Sequence, residues 1–340
     1  MMPSDKRVRI AFIGCGNHSV HSLQPAICHV PEFEYIATCD IVAERAKEAA
    51  RRFGAKAWYT DYMEMLEREA LDAVVVVGHP NMHEEVSIEC LKRGVHVLME
   101  KPPALTVEGA RRIVEVANES NRFCMVATHW RHMPTHQLLK RIASSDAFGS
   151  LTRIEVTYVA PDFGPAFGVE DYAWGFMLNQ AIHPVDCMQF LGGKVQEISA
   201  HGSAIPNERL MFTAYLRFES GVEGSLTLAG CAALIYARVI VQGSGRGIAE
   251  VDNFTRLRYF APTPWVEAGD TFRGTHAQTW EVGNWYHRTT CIGYIEELQH
   301  FARCIIDGKE PHANANDAYH AMRILDAIVK SAMEGKPMTL

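Results

Sequence analysis

Two glycines that are separated by one residue follow the first apolar run of the chain. The segment Gly14-Cys15-Gly16-Asn17-His18-Ser19 comes directly after the run Val8 to Ile13. Glycines in such a loop permit a tight turn and let the backbone approach a pyrophosphate at the start of a helix. Ser19 stands where the usual G-x-G-x-x-G has its third glycine, so a plain turn between strand and helix is the alternative. The candidate phosphate contacts are Gly14, Gly16, Asn17 and His18.

An acidic residue at the end of the second predicted strand supports the dinucleotide interpretation. Asp40 follows the apolar run Tyr35 to Cys39, where a carboxylate hydrogen-bonds the ribose 2′-hydroxyl of NAD. The same carboxylate would repel the 2′-phosphate of NADP, and residues 41–43 offer no cation for it. We therefore predict NAD as the cofactor and NADP as the less favoured one. Arg45 is the nearby cation that could reverse this preference.

The segment Glu100-Lys101-Pro102 lies at the end of the fifth predicted strand and is accompanied by two further motifs. Pro80-Asn81-Met82-His83 follows the fourth strand, and Asn179-Gln180-Ala181-Ile182-His183-Pro184-Val185-Asp186 lies in a helix-like insert. With these motifs, nearly the whole chain resembles the Gfo/Idh/MocA family of sugar and cyclitol oxidoreductases, whose hallmark is Glu-Lys-Pro after the fifth strand. The resemblance implies further cofactor contacts at Pro80, Asn81, His83, Glu100 and Lys101.

The resemblance also implies two catalytic residues. In the family the lysine of Glu-Lys-Pro contacts the reacting hydroxyl, and the histidine of the second motif acts as acid or base. These residues correspond here to Lys101 and His183. The assignment fits the chemistry, because oxidation of an alcohol needs a base for the hydroxyl proton and a cation for the developing alkoxide. The alternative is a solvated lysine after a strand and a structural histidine at a helix start.

The second motif departs from the family pattern at one position. Many members have an aspartate four residues before the histidine, whereas Asn179 stands there in this chain and cannot accept a proton. His183 is then the candidate base of the motif, and Asp186, one helical turn further on, is a candidate to orient its ring. Arg131 and His132 follow the sixth predicted strand and are expected to line the cleft. The predicted substrate contacts are Asn179, Arg131, His132 and Asp186.

Three histidines after the sixth predicted strand raise the question of a zinc site. His129, His132 and His136 would supply three imidazoles, which zinc accepts as ligands. Pro134 interrupts their spacing, however, and no cysteine or carboxylate lies close to them in the sequence. We therefore expect no metal site.

The elements that would carry these residues change in character along the chain. In the first third, short apolar runs alternate with helical patterns such as Val107 to Asn118, which has Thr106 as a candidate N-cap. This alternation indicates a parallel sheet wound on both sides. After about Thr128 come alternating strands such as Leu151 to Tyr158, separated by glycine-containing turns that include a predicted hairpin at Gly243 to Gly247. These strands indicate a mainly antiparallel sheet.

The change of pattern predicts two domains. A chain of 340 residues exceeds the size at which a single core stops growing. We predict an α/β Rossmann domain that binds NAD over residues 1–128, and an α+β domain with a large, mainly antiparallel open sheet over 129–340. Two closing helices are expected at about 292–306 and 316–333. Since the cofactor domain would leave one face of the second sheet uncovered, we expect a homodimer or homotetramer.

The composition disfavours several other classes of protein. A formal net charge of -7 gives no electrostatic footprint for nucleic acid, and no stretch has the eighteen or so apolar residues of a membrane-spanning helix. The nine cysteines are scattered without a C-x-x-C pair, and no secretion signal is visible before the first strand. We therefore expect free thiols and a cytoplasmic protein.

Together these features predict an NAD-dependent oxidoreductase that oxidises a secondary hydroxyl of a sugar, sugar derivative or cyclitol. Two alternatives stay open. Some proteins similar to the family are glycosidases that keep NAD bound and use transient oxidation, which Lys101 and His183 do not exclude. Others are nucleotide-sensing regulators without catalysis, which are expected to lose the lysine or the histidine. Retention of both residues disfavours the regulator class.

Overall fold

The computed structural model of the chain describes residues 6–161, 166–205, 209–261, 277–283 and 292–340. These residues form two compact units. The first lies within Met1–His129 and Arg288–Met322, and the second lies within Trp130–His287 and Arg323–Leu340. The chain therefore enters the first unit twice, once before and once after it has formed most of the second.

The first unit is built on a six-stranded sheet in which all neighbouring strands are parallel. Its strands are β1 (Val8–Ile13), β2 (Phe33–Cys39), β3 (Ala57–Tyr59), β4 (Ala73–Val76), β5 (His96–Glu100) and β6 (Cys124–Ala127). Their order in the sheet is β3-β2-β1-β4-β5-β6. The direction of strand addition reverses between β1 and β4, and the carboxyl ends of strands beside such a reversal form a ligand crevice. The predicted α/β class is confirmed for this unit.

Helices cover both faces of this sheet because its strands are apolar on both sides. All four residues of β4 are buried, and alternate ones enter different apolar clusters, Val74 one and Val75 the other. Helix α5 begins at the predicted cap, where the Thr106 hydroxyl accepts a hydrogen bond from Gly109 N at 3.0 Å. The helices are a π-helical turn (Ser19–Leu23), α1 (Gln24–Ile27), α2 (Ala43–Phe53), α3 (Tyr62–Arg68), α4 (Pro80–Lys92) and α5 (Val107–Ser120).

A helix far along the chain completes the first unit. This first closing helix, Tyr294–Asp307, contributes Leu298 and Phe301 to the apolar cluster that contains Ile10 and Phe12 of β1. The sequence interpretation assigned the segment to the second domain. An amphipathic pattern shows that a helix has an apolar face but does not show which sheet that face covers. The predicted and the observed unit of this helix therefore differ because its place is decided by long-range packing.

The second unit is built on a nine-stranded sheet. Its strands are β7 (Leu151–Val159), β8 (Val195–Ile205), β9 (Arg209–Phe218), β10 (Glu223–Ala229), β11 (Tyr236–Gly243), β12 (Ile248–Asp252), β13 (Arg256–Phe260), β14 (Gln278–Glu281) and β15 (Met338–Thr339). Their order is β14-β13-β12-β11-β7-β10-β9-β8-β15. The pair β7 and β10 is parallel and the other pairs are antiparallel, so the prediction of a mainly antiparallel sheet is confirmed. The predicted hairpin at Gly243 to Gly247 joins β11 to β12.

The two faces of this sheet differ in burial. Along β7, Ile154, Val156 and Tyr158 are buried, whereas the alternating positions from Arg153 to Val159 are more exposed and define what we call the open face. The remaining helices after β6 are a 3-10 turn (His129–His132), α6 (Pro134–Ala143), α7 (Tyr172–Phe176), a π-helical turn (Met177–Ala181), α8 (Ile182–Gly192) and the second closing helix (Ala315–Glu334). The second closing helix belongs to the first unit as far as Met322 and to the second unit from Arg323 onward. No helix within the described ranges has the length and apolar character needed to cross a membrane.

Candidate active site

The two glycines after β1 have different structural roles. Gly14 has φ +100°, and a Cβ there would lie 1.8 Å from the carbonyl oxygen of Val77. Only glycine permits that conformation together with that close approach. A Cβ at Gly16 would meet no atom within 4 Å, so the space above this residue is open. Open space above the second glycine is what the approach of a pyrophosphate to the backbone requires.

Ser19 takes the place of the third glycine without leaving a buried polar group unsatisfied. The helix after the loop begins with the π-helical turn at Ser19–Leu23, and Ser19 is fully buried. Its hydroxyl accepts a hydrogen bond from Nε2 of Gln24 at 2.9 Å, and Oε1 of Gln24 accepts one from the Tyr35 hydroxyl at 3.1 Å. Because buried polar groups need such partners, the serine is accommodated next to the glycine loop.

Asp40 follows β2 with both carboxylate oxygens held by backbone amides. Oδ2 accepts a hydrogen bond from Cys15 N at 2.8 Å, and Oδ1 accepts one from Val42 N at 2.9 Å. These bonds fix the carboxylate beside the glycine loop, and each oxygen keeps a lone pair for a ribose hydroxyl. Arg45 is exposed in the first turn of α2. The glycine loop and Asp40 therefore fit the pyrophosphate and ribose of a dinucleotide.

Glu100 is a buried carboxylate at the end of β5. Its Oε1 lies 2.9 Å from Nε2 of His18, and its Oε2 accepts a hydrogen bond from the backbone amide of Lys101 at 3.0 Å. Burial by itself would raise the pKa of Glu100, but the charge and hydrogen bond of His18 and the charge of Lys101 outweigh it and lower the pKa to about 2. The carboxylate is therefore charged at neutral pH and joins the glycine loop to the end of β5.

Lys101 is half-buried directly after this carboxylate. Burial lowers the pKa of its ammonium group below the usual value, and the charge of Glu100 opposes this shift. Since a lysine shifts its pKa readily in such surroundings, the residue is a cation whose charge depends on its carboxylate neighbour. This arrangement suits the stabilisation of negative charge on a substrate oxygen.

The predicted cofactor contacts after β4 lie at the start of α4. Pro80 is in the first turn of the helix, and Asn81 donates its backbone amide to Nδ1 of the capping residue His79 at 3.3 Å. His83 is 1% exposed; its Nε2 accepts a hydrogen bond from Gly78 N at 3.0 Å, and its Nδ1 lies 2.8 Å from the carbonyl oxygen of Pro102. Pro80, Asn81 and His83 are thus grouped beside the Lys101 segment.

The three histidines after β6 are divided between the two units, since His129 belongs to the first and His132 and His136 to the second. Nδ1 of His129 donates to the carbonyl oxygen of Ile292 at 2.7 Å, and its ring lies 5.0 Å from that of Tyr294. Burial lowers the pKa of His129 to about 4. Within the described ranges no three His, Cys, Asp or Glu side chains are grouped as a metal ion would need.

In the second unit, His183 lies in the first turn of α8 and is 7% exposed. Its ring stacks on the indole of Trp130 at an interplanar angle of 7°, with ring centroids 6.0 Å apart. Trp130 is itself packed edge-to-face against Tyr158 at 5.5 Å and Phe254 at 5.0 Å. The orientation of the candidate base is therefore supported by a group of aromatic side chains from several distant segments.

Two of the predicted substrate contacts form a buried ion pair. The guanidinium of Arg131 donates from Nε to Oδ2 and from a terminal nitrogen to Oδ1 of Asp186, each at 2.6 Å. Both side chains are almost completely buried, at 5% and 1% exposure. The guanidinium also lies 5.6 Å from the ring centre of Phe190. Asp186 thus ties α8 to the 3-10 turn that holds Trp130, Arg131 and the buried His132.

Asn179 lies in the π-helical turn that leads into α8 and is half-buried. Its neighbour Gln180 accepts a hydrogen bond from the hydroxyl of Tyr158 at 2.7 Å, and burial raises the pKa of Tyr158 to about 12. Such π-helical turns occur frequently at functional sites. The four residues Asn179, His183, Asp186 and Arg131 therefore belong to one region of the second unit.

Sequence reasoning assigned no role to three side chains that pack around the candidate residues. They are Tyr294 beside His129, and Tyr158 with Gln180 next to Asn179. The signal for Tyr158 was present, because it lies at a buried position of an alternating strand, where a phenol needs a hydrogen-bond partner. Tyr294 gave no such signal, since its contact joins segments far apart in the chain.

The doubly wound sheet, the glycine loop and the carboxylate after β2 define the first unit as a dinucleotide-binding fold. The chain belongs to the Gfo/Idh/MocA oxidoreductase family: residues 8–128 match the family's NAD-binding Rossmann fold, and residues 169–340 match its C-terminal alpha/beta domain. The protein is accordingly an oxidoreductase that uses NAD.

Relatives of known activity are similar over nearly the full length of the chain. A scyllo-inositol 2-dehydrogenase (NAD(+)) from Bacillus subtilis is 24% identical over 99% of this chain and 97% of its own. A D-apiose dehydrogenase from Paraburkholderia graminis is 27% identical over 98% of this chain and 90% of its own. A crystal structure of a dehydrogenase from Chromobacterium violaceum has the same fold, with a TM-score of 0.89 at 22% identity over 97% of this chain and 96% of that one.

Proposed function

We propose that the protein oxidises a secondary hydroxyl group of a sugar, a sugar derivative or a cyclitol. The observation that carries this proposal is Lys101, a half-buried cation next to the buried carboxylate of Glu100 at the end of β5. An alcohol that loses a hydride needs such a cation for its oxygen. The similarity to an inositol dehydrogenase and to an apiose dehydrogenase supports a polyol as the substrate.

In the proposed reaction the two candidate catalytic residues act on one hydroxyl group. Lys101 binds the hydroxyl oxygen and stabilises the developing alkoxide, and His183 accepts the hydroxyl proton. Bound NAD supplies the nicotinamide C4 that accepts the hydride. Asn179, Arg131, His132 and Asp186 are proposed as substrate contacts, and the buried Arg131–Asp186 pair adds rigidity to this group.

The division of labour between domains follows from where these residues lie in the sequence. We propose that residues 1–128 bind NAD, with the segment Arg288–Met322 completing that unit, and that the remainder of 129–340 binds substrate. Gly14, Gly16, Asn17 and His18 are proposed to contact the pyrophosphate. Asp40 is proposed to accept the ribose hydroxyls, which favours NAD over NADP. Pro80, Asn81, Glu100 and Lys101 are proposed to surround the nicotinamide end.

A substrate screen tests the proposed function. Sugars, sugar acids and inositols are incubated with the purified protein and NAD, and NADH is followed by absorbance. Net NADH formation with at least one polyol is the expected result. Cleavage of a glycoside without net NADH would identify the glycosidase chemistry that the sequence leaves open. NAD binding without turnover of any polyol or glycoside would contradict catalysis and favour a regulator.

We also propose that the protein assembles as a homodimer or homotetramer through the open face. One row across that face is apolar, because Tyr236, Val159, Ala229 and Met211 are neighbours in register on adjacent strands. Tyr236 and Met211, at the two ends of this row, are 39% and 40% exposed, whereas Ala229 between them is buried. Exposed large apolar side chains on one sheet face are typical of interfaces. Light scattering should give the mass of two or four chains. A monomer mass at micromolar concentration would contradict the proposal.

A cytoplasmic location is the last part of the proposal. It is supported by the cysteines, since all those in the described ranges are free thiols and most are buried. Free thiols of this kind are typical of proteins in reducing compartments. Fractionation of the native host, with the protein detected by antibody, is the corresponding measurement.

A further inference from the structure

The imidazole of His83 is buried between two loops that leave the carboxyl end of the first sheet. Gly78 lies in the loop after β4 and donates its amide to Nε2, and the carbonyl of Pro102 in the loop after β5 faces Nδ1. Because an amide can only donate and a carbonyl can only accept, the ring must be the neutral tautomer with its proton on Nδ1. Nδ1 therefore donates to Pro102, and each ring nitrogen is engaged by one backbone group.

Direct contacts continue from His83 toward both ends of the candidate site. On one side, Val77 N donates to Ile13 O at 2.9 Å, and the carbonyl of Val77 faces Gly14 so closely that no Cβ fits between them. On the other side, Pro102 follows Lys101 directly in the chain. His83 is thus the side chain that joins the loop after β4, which abuts the glycine loop, to the segment that carries Lys101.

We infer that His83 is a positioning residue, which fixes the backbone that carries Lys101 and does not itself bind NAD. The resemblance to the family implied a cofactor contact, but a buried ring whose two nitrogens both bind backbone groups has no hydrogen bond left for a ligand. The inference deepens the proposed function, because it rests on the proposed role of Lys101.

The surroundings of His83 keep its ring neutral at neutral pH, and thereby keep its two hydrogen bonds to Gly78 and Pro102. Burial lowers the pKa of the ring, as do the charges of Lys101 and His79, whereas the bond to Pro102 and the charge of Glu100 oppose the shift. A proton on Nε2 would face the amide proton of Gly78 and would end that hydrogen bond. The link between the two loops is therefore present in the neutral ring and is lost when the ring is protonated.

A pair of variants separates positioning from cofactor binding. His83→Leu removes both hydrogen bonds. His96→Leu is the matched control, because Nδ1 of His96 also accepts a backbone amide, that of Phe123 at 2.8 Å, but at the start of β5. We expect His83→Leu to lower kcat about 10-fold or more on a substrate from the screen, while Kd for NAD measured by calorimetry changes less than about 3-fold. His96→Leu should leave both near the native values.

The opposite pattern would overturn the inference. If His83→Leu weakens NAD binding about 10-fold or more and keeps kcat at saturating NAD, His83 is a cofactor contact. His83→Gln retains one amide donor and one acceptor and should recover part of the lost kcat. If the Leu and Gln variants lose kcat to the same extent, and Kd changes as much as kcat, His83 has only a general structural role. That result would also contradict the inferred positioning role.

A double variant tests whether His83 acts through Lys101. In the Lys101→Met background, adding His83→Leu should lower kcat by less than about 2-fold, since the group that His83 positions is already absent. Independent, multiplying losses would contradict the inference. Native turnover of Lys101→Met alone would instead contradict the proposed function, so the two failures are distinguishable.

Nitrogen NMR of the native protein gives a result that does not depend on turnover or on the folding of a variant. With 15N-labelled histidine, the His83 ring should show the neutral tautomer with the proton on Nδ1, and this signal should persist below the usual histidine pKa of 6.5. A proton on Nε2 in the neutral ring, or titration at 6.5, would overturn the inference.

Discussion

The two units hold their candidate catalytic residues in different ways. Lys101 lies where a parallel strand ends, and its surroundings are set by backbone groups, by Glu100 and by the His18 contact of that carboxylate. His183 lies at a helix start, where it stacks on Trp130, and the buried ion pair of Asp186 follows one turn later. The first arrangement depends on strand order, and the second on side-chain packing between distant segments. Substitutions should therefore affect stability more in the second region than in the first.

The largest expected effect is the loss of stability when the buried ion pair of the second unit is broken. Arg131→Met removes the guanidinium that neutralises Asp186, which then carries a buried charge without its counter-ion. We expect the free energy of unfolding to fall by about 3–5 kcal/mol, measured by urea denaturation. The control is Arg111→Met, which breaks the exposed pairs of Arg111 with Glu108 and Glu115 and should leave stability nearly unchanged. Similar losses in both variants would show that burial of the pair does not matter.

The next largest effect concerns turnover and tests both regions together. Lys101→Met and His183→Asn should each lower kcat about 10²-fold or more on a verified substrate, with NAD affinity nearly unchanged, because each residue acts chiefly in the transition state. The double variant should be little worse than the poorer single one, since both residues act on one hydroxyl. Near-native turnover of either single variant would refute the role of that residue, and Asn179, Arg131 and His132 would then be the candidates to test.

The first region was largely predictable from sequence because its geometry follows from local pattern. The predicted run Val8 to Ile13 coincides with β1, Thr106 caps α5, and Asp40 lies beside the glycine loop, as its place after the second strand indicated. A parallel sheet brings the ends of its strands to one edge whatever the details of side-chain packing. Residues that follow strands are therefore grouped by topology alone.

The remaining features depended on contacts that no local pattern reveals. The strand β3, Ala57–Tyr59, has three residues and is too short to show alternation. The buried ion pair of Arg131 and Asp186 joins residues 55 positions apart, so the partner of Arg131 could not be inferred from spacing. Sequence reasoning suggested instead that Asp186 orients His183. Likewise, the amphipathic pattern of Tyr294–Asp307 did not show that this helix covers the first sheet.

A smaller effect is expected in the preference for NAD over NADP. It tests whether the carboxylate after β2 in the first region determines that preference. Asp40→Ser removes the charge that would repel a 2′-phosphate and should narrow the ratio of the two dissociation constants by about 10-fold. Titration of both nucleotides against native protein and variant measures this ratio. A native protein that prefers NADP would show that Arg45 or another cation dominates at this position.

The last expected effect is a decrease of stability in mild acid. Burial, with the charge of Arg122, lowers the pKa of His96 to about 4, whereas the unfolded chain has a histidine pKa of 6.5. The unfolded state then binds more protons between these values, so stability present above about pH 6.5 is lost as the pH falls toward 4. The melting temperature should therefore decrease as the pH falls over this range. The melting temperature of the His96→Leu variant should decrease less steeply. An unchanged slope in the variant would contradict the assignment; Glu100, with a pKa of about 2, contributes a loss only at lower pH.

The late return of the chain to its first unit has a consequence for synthesis on the ribosome. Ile10 and Phe12 emerge well before Leu298 and Phe301, which pack in the same apolar cluster. Domains near the amino terminus generally fold first during translation, whereas this one must wait for the helix Tyr294–Asp307 to complete its core. The nascent chain therefore carries an exposed apolar surface until this helix has been made, and transiently exposed apolar surface of this kind makes unfinished chains prone to aggregation.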